Sequence, residues 1–295
     1  MRNLIVRTIL FLVAVPALIA IIIFLPQWHH LALNLIAVAA SAIGASELAR
    51  FFERRDAAYR ASSFTIPLLG AALPLTQILI VNGILPQESI QLVIYVAASV
   101  ILLLQILRRE DEGFRYTLSN TAANLTLMLY PGFFLAYLVR ISSFEHATVL
   151  ILTFLCLVFF NDTAAYLSGM LYRSLREARA RRSGRTWKPR FVLPVSPNKT
   201  LVGFAGGLAT ATATILVAQL LFPQQIPGST LDLVLVGIAV GLATIFGDLI
   251  ESALKRSATR KDSGSLIPGR GGILDSIDSV LYAAPVFYYL LRYLI

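Results

Sequence analysis

Acidic, hydroxyl and basic residues recur at helical spacing in a short segment near the C-terminal end of the chain. The members of this set lie at positions i, i+3, i+4 and i+7, and they are Asp248, Glu251, Ser252 and Lys255. Such spacing places all four side chains on one face of a helix. The face runs from acid to base, so it can bind a cation at one end and a phosphate at the other. An ion pair between Glu251 and Lys255 within the helix is the alternative interpretation.

A second segment, residues 261–279, begins with Lys261-Asp262 and continues through several Gly and Pro residues. Those residues predict a tight loop whose backbone can approach a ligand closely. Asp275 and Asp278 follow at i and i+3 on a new helix, so Asp248 and Asp275 can meet across the hairpin. Carboxylates beside lysines suit Mg²⁺, which keeps water ligands and shares the phosphates of a substrate. We therefore predict a metal site formed by Asp248, Asp275 and Asp278.

Two further polar elements lie upstream. The sequence Ser196-Pro-Asn-Lys199-Thr200 precedes an apolar run. We expect the Ser-Pro hydroxyl to lie near the free N–H groups of a helix start, where anions bind, with Lys199 supplying a point charge for phosphate. The glycines that follow equally indicate close helix packing. Asp162 lies inside another apolar run, where a carboxylate needs a cation, a proton-accepting role, water or a loop arginine as partner.

Membrane-spanning helices must position these residues, because 57% of the chain is hydrophobic and 14% is charged. Soluble domains are about half apolar and about a quarter charged. Apolar runs of about 20 residues predict transmembrane helices, and we interpret the first run as a span that is not cleaved. The fold class is therefore an all-α polytopic membrane bundle. The nine predicted spans are residues 4–25, 31–49, 64–83, 90–107, 117–139, 147–171, 201–222, 231–251 and 272–294.

The positions of the positive charges orient these spans. With nine spans, every Lys and Arg except Arg140 and Arg292 falls in alternate loops, and loops rich in Lys and Arg are cytoplasmic. We therefore expect a bacterial-type inner-membrane protein with its N-terminus in the cytoplasm, its C-terminus outside and the polar segments at the cytoplasmic face. The net charge of +9 does not indicate nucleic-acid binding, since the arginine-rich residues 173–190 fit an anchor on anionic lipid better.

At these residues the sequence resembles the CDP-diacylglycerol synthase (phosphatidate cytidylyltransferase) family. The family's C-terminal motif reads Ser-x-x-Lys-Arg, four residues, Lys-Asp, then Pro-x-His-Gly-Gly, two residues and Asp-Arg-x-Asp. The matching positions are Ser252, Lys255, Arg256, Lys261, Asp262, Pro268, Gly271, Gly272, Asp275 and Asp278. Residues 162–169, 196–200 and 247–252 also resemble family elements, so the likeness covers about the last 130 residues. Before them, only Glu47 is a weak match.

The sequence departs from the family motif at two positions. Arg270 stands where the family has histidine, and Ser276 stands where it has the arginine that follows the first aspartate. The proposed metal carboxylates are unchanged. The departures therefore bear on which lipid phosphate the protein accepts, and they mark the chain as a divergent member.

The resemblance implies a reaction in which CTP and phosphatidic acid give CDP-diacylglycerol and pyrophosphate. It implies Mg²⁺, with a second, monovalent cation as a further expectation. The catalytic residues would be Asp248, Lys255, Lys261, Asp262 and Asp275. The substrate-binding residues would be Asp162, Ser196, Lys199, Thr200, Arg256, Arg270, Gly271 and Gly272. Residues 1–140 would form a scaffold of transmembrane helices and residues 141–295 the catalytic domain, in contact with membrane lipids. A homodimer is a further expectation.

Other functions are compatible with parts of the pattern. An ion-coupled transporter could use Asp162, Asp248 and Asp275 as an ion path, although these acids gather at one face and do not thread the bilayer. A non-catalytic paralogue or a cytidylyltransferase for another lipid phosphate would share the architecture. A lipid kinase would usually carry a Gly-rich nucleotide loop of the Walker type, which the sequence lacks.

Overall fold

The computed structural model describes residues 2–55, 59, 64–106, 116–187, 193–269 and 271–294, and the side chains among them except those of residues 2–11 and 55. Within these ranges the chain is almost entirely helical. The helices are α1 (Arg2–Phe24), α2 (Gln27–Arg55), α3 (Thr65–Val81), α4 (Ser89–Ile106), α5 (Thr117–Leu127), α6 (Phe134–Ile141), α7 (Ala147–Arg182), α8 (Leu201–Leu221), α9 (Thr230–Ser257) and α10 (Leu274–Leu294). A π-helical segment, Met128–Phe133, joins α5 to α6. The all-α prediction is confirmed.

Six helical stretches of the described chain are long and apolar enough to cross a membrane. They comprise α2, α4, the continuous stretch Thr117–Ile141, α7, α8 and α9. Shorter apolar helices occupy Leu12–Phe24 and Thr65–Val81, and α10 has 21 residues. A helix is therefore present at each of the nine predicted spans, and the polytopic membrane bundle is confirmed. The direction of the termini stays a prediction.

Helix α7 is longer than the sequence predicted. Its 36 residues correspond to about 54 Å of helix, whereas the hydrocarbon core of a bilayer is about 30 Å thick. The prediction ended at residue 171 because it followed hydropathy, but arginine is a good helix former. Part of the arginine-rich segment, up to Arg182, is thus a helical continuation of a membrane span.

The chain forms two compact units. The first comprises Met1–Ile151 and Leu254–Ile277, and the second comprises Leu152–Ala253 and Asp278–Ile295. In the first unit α2 lies along α3. The Ser41 hydroxyl donates a hydrogen bond to the carbonyl oxygen of Gly70 at 2.7 Å. A Cβ atom at Gly70 would lie 2.6 Å from the Ser41 carbonyl oxygen, so the absence of a side chain permits this close crossing.

The π-helical segment contacts the same crossing. It contains Pro131, which lacks the N–H that a regular α-helix would use. A Cβ atom at Gly44 of α2 would lie 3.6 Å from Cβ of Pro131 and 3.5 Å from Cδ1 of Leu274. This face of α2 therefore contacts both the π-helical segment and the first residue of α10. Glu47 lies one helical turn further along the same face.

Glycines also set the helix contacts of the second unit. A Cβ atom at Gly203 would lie 2.7 Å from the carbonyl oxygen of Ala165, and one at Gly237 would lie 2.6 Å from Cα of Thr212. At the other end of α9, a Cβ atom at Gly247 would lie 2.5 Å from the carbonyl oxygen of Asp278. At these three glycines, α7 and α8, α8 and α9, and α9 and α10 thus approach closely through backbone. Close packing, one of the two interpretations of the α8 glycines, is what the structure displays.

The α2–α3 crossing leads to a stability prediction. We expect Gly70→Ala to lower the free energy of unfolding by about 1–3 kcal/mol, because an added methyl group overpacks a tight contact. The measurement is thermal unfolding of the purified protein in detergent. Gly44→Ala is the matched control, since the nearest atoms there leave ordinary van der Waals space. Equal unfolding temperatures for the two variants would contradict the prediction.

Candidate functional site

The α9–α10 loop comprises residues 258–273, and the end of α9 sets the direction in which it leaves the helix. Thr259 adopts a left-handed backbone with φ of 56°, and the N–H of Arg260 donates to the carbonyl oxygen of Lys255 at 2.8 Å. This hydrogen bond turns the chain away from the helix axis. Further along, Ile267 and Gly271 exchange two backbone hydrogen bonds of 2.8 and 3.1 Å. Gly271 has φ of 119°, a conformation that favours glycine.

Asp275, in the first turn of α10, is the acceptor on which this loop converges. Its Oδ1 accepts a hydrogen bond from Nζ of Lys255 at 2.6 Å. Its Oδ2 accepts from the backbone N–H of Ser263 at 2.7 Å, from the Ser263 hydroxyl at 2.9 Å and from the N–H of Gly272 at 2.8 Å. The side chain is only 7% exposed. Lys255 and Asp275, two of the predicted catalytic residues, are thus in direct contact within the first unit.

This arrangement limits what Asp275 can bind. Two N–H donors and the Ser263 hydroxyl surround Oδ2, so a new partner would have to approach Oδ1, where Lys255 now lies. A cation at Oδ1 would displace the ammonium group and leave it available for a phosphate. The geometry thus couples the charge at Asp275 to the position of Lys255.

Glu47 of α2 is a second carboxylate held by the same loop. Its Oε2 accepts from the Ser263 hydroxyl at 2.8 Å and from the N–H of Leu274 at 2.9 Å, and its Oε1 accepts from the N–H of Ile273 at 3.1 Å. It is 3% exposed, and no basic side chain in the described part of the chain pairs with it. The sequence offered one signal for this residue, an isolated acid inside an apolar span.

The second unit carries an ion pair between Lys199 and Asp248. The Ser252 hydroxyl also donates to Oδ1 of Asp248 at 3.3 Å, as their i, i+4 spacing on α9 predicts. Both members of the ion pair are partly exposed, and such pairs add little stability. A gain in stability is therefore a poor explanation of this ion pair.

The helix start after the Ser-Pro element differs from the prediction. Thr200 caps α8, with its hydroxyl oxygen accepting from the N–H of Gly203 at 3.0 Å. Ser196 lies in a preceding turn, where its carbonyl oxygen accepts from the N–H of Lys199 at 3.1 Å. The prediction that Ser196 supplies the hydroxyl at the helix start is wrong, because this turn delays the helix until Leu201. Threonine is a favourable N-cap in the same way as serine.

Arg173 is a site residue that the sequence did not single out. Its guanidinium donates to Oδ1 of Asn198 at 2.9 Å and to the carbonyl oxygen of Pro197 at 3.1 Å. The turn that carries Lys199 is thereby attached to α7. Sequence reasoning grouped Arg173 with the other arginines of residues 173–190, because nothing in its local spacing distinguishes it.

The remaining predicted residues have simpler surroundings. Arg256, Lys261 and Asp262 are exposed, Asp162 is half-buried on α7, and Gly271 and Gly272 lie in the α9–α10 loop. Asp278 is buried and accepts from the N–H of Ser279 at 2.6 Å. Arg270 lies outside the described residues.

The described carboxylates can be compared with the ligands that a divalent metal requires. In the described ranges no group of three or more His, Cys, Asp or Glu side chains converges on a point. Mg²⁺ does not require such a group, because one or two carboxylates together with substrate phosphates commonly hold it. Asp248 and Asp275 each already carry a lysine ammonium, which occupies a place that a cation could take. The residues therefore fit a hard cation that substrate completes. Whether Asp248 and Asp275 share one ion stays a prediction.

A family comparison decides the class of the protein. The model of the cytidylyltransferase family matches residues 5–294. The chain belongs to the cytidylyltransferase family. The sequence-based resemblance is thus confirmed, and the helical membrane architecture agrees with it.

Two of three individual relatives of the chain are named phosphatidate cytidylyltransferase. The chain is 36% identical over 193 residues to the uncharacterized protein YnbB of Escherichia coli, covering 64% of this chain and 58% of that protein. It is 35% identical over 164 residues to the phosphatidate cytidylyltransferase of Bacillus subtilis, covering 55% of each. It is 31% identical over 283 residues to the enzyme of that name from Staphylococcus epidermidis, covering 93% of this chain and 96% of that one. The matches to the first two relatives span little more than half of their length.

The cap of α8 generates a prediction about the turn that carries Lys199. We expect Thr200→Val to lower the free energy of unfolding by about 1 kcal/mol, because the N–H of Gly203 loses its acceptor. Thr200→Ser keeps the hydroxyl and serves as the control. Thermal unfolding in detergent compares the two variants, and the prediction fails if valine is tolerated as well as serine.

Proposed function

We propose that this cytidylyltransferase transfers CMP from CTP to phosphatidic acid, giving CDP-diacylglycerol and pyrophosphate. The observation that carries the proposal is the contact of Lys255 with Asp275 at the start of α10, next to a glycine-containing loop whose exposed residues include Lys261. A buried carboxylate paired with a lysine offers a cation site and a phosphate ligand at one place. Family membership supports the same reaction class.

The chemistry requires one bond to form and one to break. An oxygen of the lipid phosphate attacks the α-phosphorus of CTP, and the bond from that phosphorus to the oxygen bridging to the β-phosphate breaks. Pyrophosphate leaves with the electron pair of the broken bond. A phosphate monoester has its second pKa near 6, so it is already a competent nucleophile at neutral pH. The protein therefore needs to position the substrates and neutralise their charge, and it needs no histidine base.

We assign the basic residues to the phosphates. Lys199 and Lys255 each contact an aspartate and would move onto phosphate oxygens when substrate binds. Lys261, Arg256 and Arg270 would add further positive charge. Asp262 would orient Lys261, and the backbone of Gly271 and Gly272 would let phosphate approach the loop closely.

The carboxylates are the residues that would hold a metal. We expect Asp248 and Asp275 to be its main ligands and Asp278 to be a lesser one, with Asp162 binding substrate. A bound divalent cation, which we expect to be Mg²⁺, would withdraw charge from the phosphates; a monovalent cation nearby is a further expectation. The oxygen-only donor set supports a hard cation of this kind.

The proposed location is the cytoplasmic face of the bacterial inner membrane. The alternation of positively charged loops supports an N-terminus inside and a C-terminus outside. Residues 1–140 would then act as scaffold and residues 141–295 would carry most of the site, with membrane lipid and CTP as the partners. Glu47, which belongs to residues 1–140, contacts the α9–α10 loop and so helps to hold Asp275 in place.

The function is tested by supplying purified protein in detergent with CTP, Mg²⁺ and phosphatidic acid, and by measuring CDP-lipid and pyrophosphate. We expect Asp275→Asn to lower turnover by about 10²- to 10³-fold, because an amide nitrogen cannot accept from the loop N–H groups or from Lys255. Asp232→Asn is the control, since Asp232 is exposed and binds Ser229 at the opposite end of α9. Near wild-type turnover of Asp275→Asn would refute the assignment.

In the same assay, other lipid phosphates replace phosphatidic acid. Formation of CDP-lipid only with one of them would keep the reaction class and replace the substrate, as the departures at Arg270 and Ser276 make reasonable. No CTP-dependent product with any lipid phosphate would overturn the proposed function.

Removal of the metal is a separate test. We expect EDTA to abolish CDP-lipid formation and excess Mg²⁺ to restore it, because the phosphates of CTP must be neutralised while pyrophosphate leaves. Activity that persists in EDTA would argue against the metal assignment.

The ion pair of Lys199 with Asp248 predicts a further effect. Lys199→Met should leave Asp248 without its ammonium partner and lower the Mg²⁺ concentration needed for half-maximal activity.

A further inference from the structure

We infer that Glu47 and Ser263 form a positioning pair that sets the orientation of Asp275, and this inference rests on the proposed function. Neither residue belongs to the acidic and basic set that sequence spacing identified. Glu47 is 3% exposed and Ser263 is 1% exposed, so neither can touch a substrate directly. Their effect on the reaction must pass through Asp275 and the α9–α10 loop.

The Ser263 hydroxyl lies between two carboxylates. Its oxygen is 2.8 Å from Oε2 of Glu47 and 2.9 Å from Oδ2 of Asp275. It also accepts from the N–H of Asp275 at 3.2 Å. A hydroxyl carries a single proton, so it can donate to only one of the two carboxylates at a time. The two carboxylates therefore compete for the single proton of this hydroxyl.

Because of this competition, the hydrogen bonding of Asp275 depends on Glu47. When Lys255 or a cation neutralises Asp275, the hydroxyl is free to donate to Glu47. When Asp275 loses its positive partner, donation to Asp275 becomes favourable. Glu47 has no basic partner among the described residues, so the hydroxyl and the N–H groups of Ile273 and Leu274 are its stabilising contacts.

Glu47 also fixes the start of α10. The N–H groups that it accepts belong to the two residues directly before Asp275. Their hydrogen bonds to a carboxylate are charge-assisted and are stronger than those between neutral groups. The peptide that leads into Asp275 is therefore anchored to α2, which limits where the Asp275 side chain can point.

The loop closely fits this carboxylate. A Cβ atom at Gly264 or at Gly272 would overlap the Glu47 side chain. Both residues lie in the α9–α10 loop, where Gly264 directly follows Ser263 and Gly272 directly precedes Ile273. The absence of side chains at these two positions is what allows the loop to close on Glu47.

Stability alone does not explain a buried carboxylate here. Taking a charge out of water costs free energy, and apolar residues of similar volume often serve a fold as well or better. Residues that orient the ligands of a metal or phosphate site commonly matter for activity, and their replacement typically lowers it by 10- to 100-fold. A positioning role therefore accounts for the cost of burying Glu47.

The experiment compares Glu47→Gln, Ser263→Ala and the double variant with wild type in the CTP assay. We expect each single change to lower kcat by about 10- to 100-fold, with a smaller change in KM for CTP, because the exposed basic residues that bind phosphate are untouched. The loss in the double variant should be smaller than the product of the two single losses, since both changes break the hydrogen bond between Ser263 and Glu47. Glu53→Gln on α2 and Ser257→Ala at the end of α9, both exposed, are the controls and should match wild type.

A second measurement does not need activity. Trypsin can cut after Arg260 and Lys261 in the α9–α10 loop, and we expect faster cleavage there in Glu47→Gln and Ser263→Ala without substrate. Wild-type kcat in both single variants, or a double variant whose loss is the product of the single losses, would overturn the inference. If the wild-type protein makes no CDP-lipid at all, the proposed function fails; cleavage then decides whether the pair orders the loop, and unchanged cleavage overturns that as well.

Discussion

Two carboxylates with almost no exposure to solvent hold the α9–α10 loop, one from α2 and one from α10. Together Glu47 and Asp275 accept hydrogen bonds from four backbone N–H groups of residues 263–274 and from one shared hydroxyl. Each N–H would otherwise lose hydration without compensation. The negative charge of these two carboxylates therefore holds the loop conformation, the start of α10 and the position of Lys255.

A pairing of an aspartate with a lysine is found in each of the two units. Lys255 contacts Asp275 in the first unit, and Lys199 contacts Asp248 in the second. Each lysine compensates a carboxylate that would be costly to leave alone near a membrane. Binding of a cation and an anionic substrate would exchange partners without changing the net charge greatly, which keeps the electrostatic cost of binding low.

Short-range sequence patterns predicted part of the fold and part of the candidate site. The spacing of Asp248, Ser252 and Lys255 predicted a helix face, and apolar runs predicted the spans. Glu47 could not be assigned a role, because its partner Ser263 is 216 residues away in sequence and no local pattern connects them. The cap at Thr200 was missed for a different reason: a turn and a helix start are both compatible with Ser-Pro, and only the tertiary contact of Arg173 with the turn distinguishes them.

The unbroken length of α7 has a consequence for where chemistry can occur. Arg173 lies 26 residues beyond the start of α7 at Ala147, which corresponds to about 39 Å along the axis. That distance exceeds the roughly 30 Å of the hydrocarbon layer, so α7 is long enough to carry Arg173 past one face of a bilayer. Because Arg173 binds the turn before Thr200, α7 attaches the turn that carries Lys199 at a fixed point along its own axis.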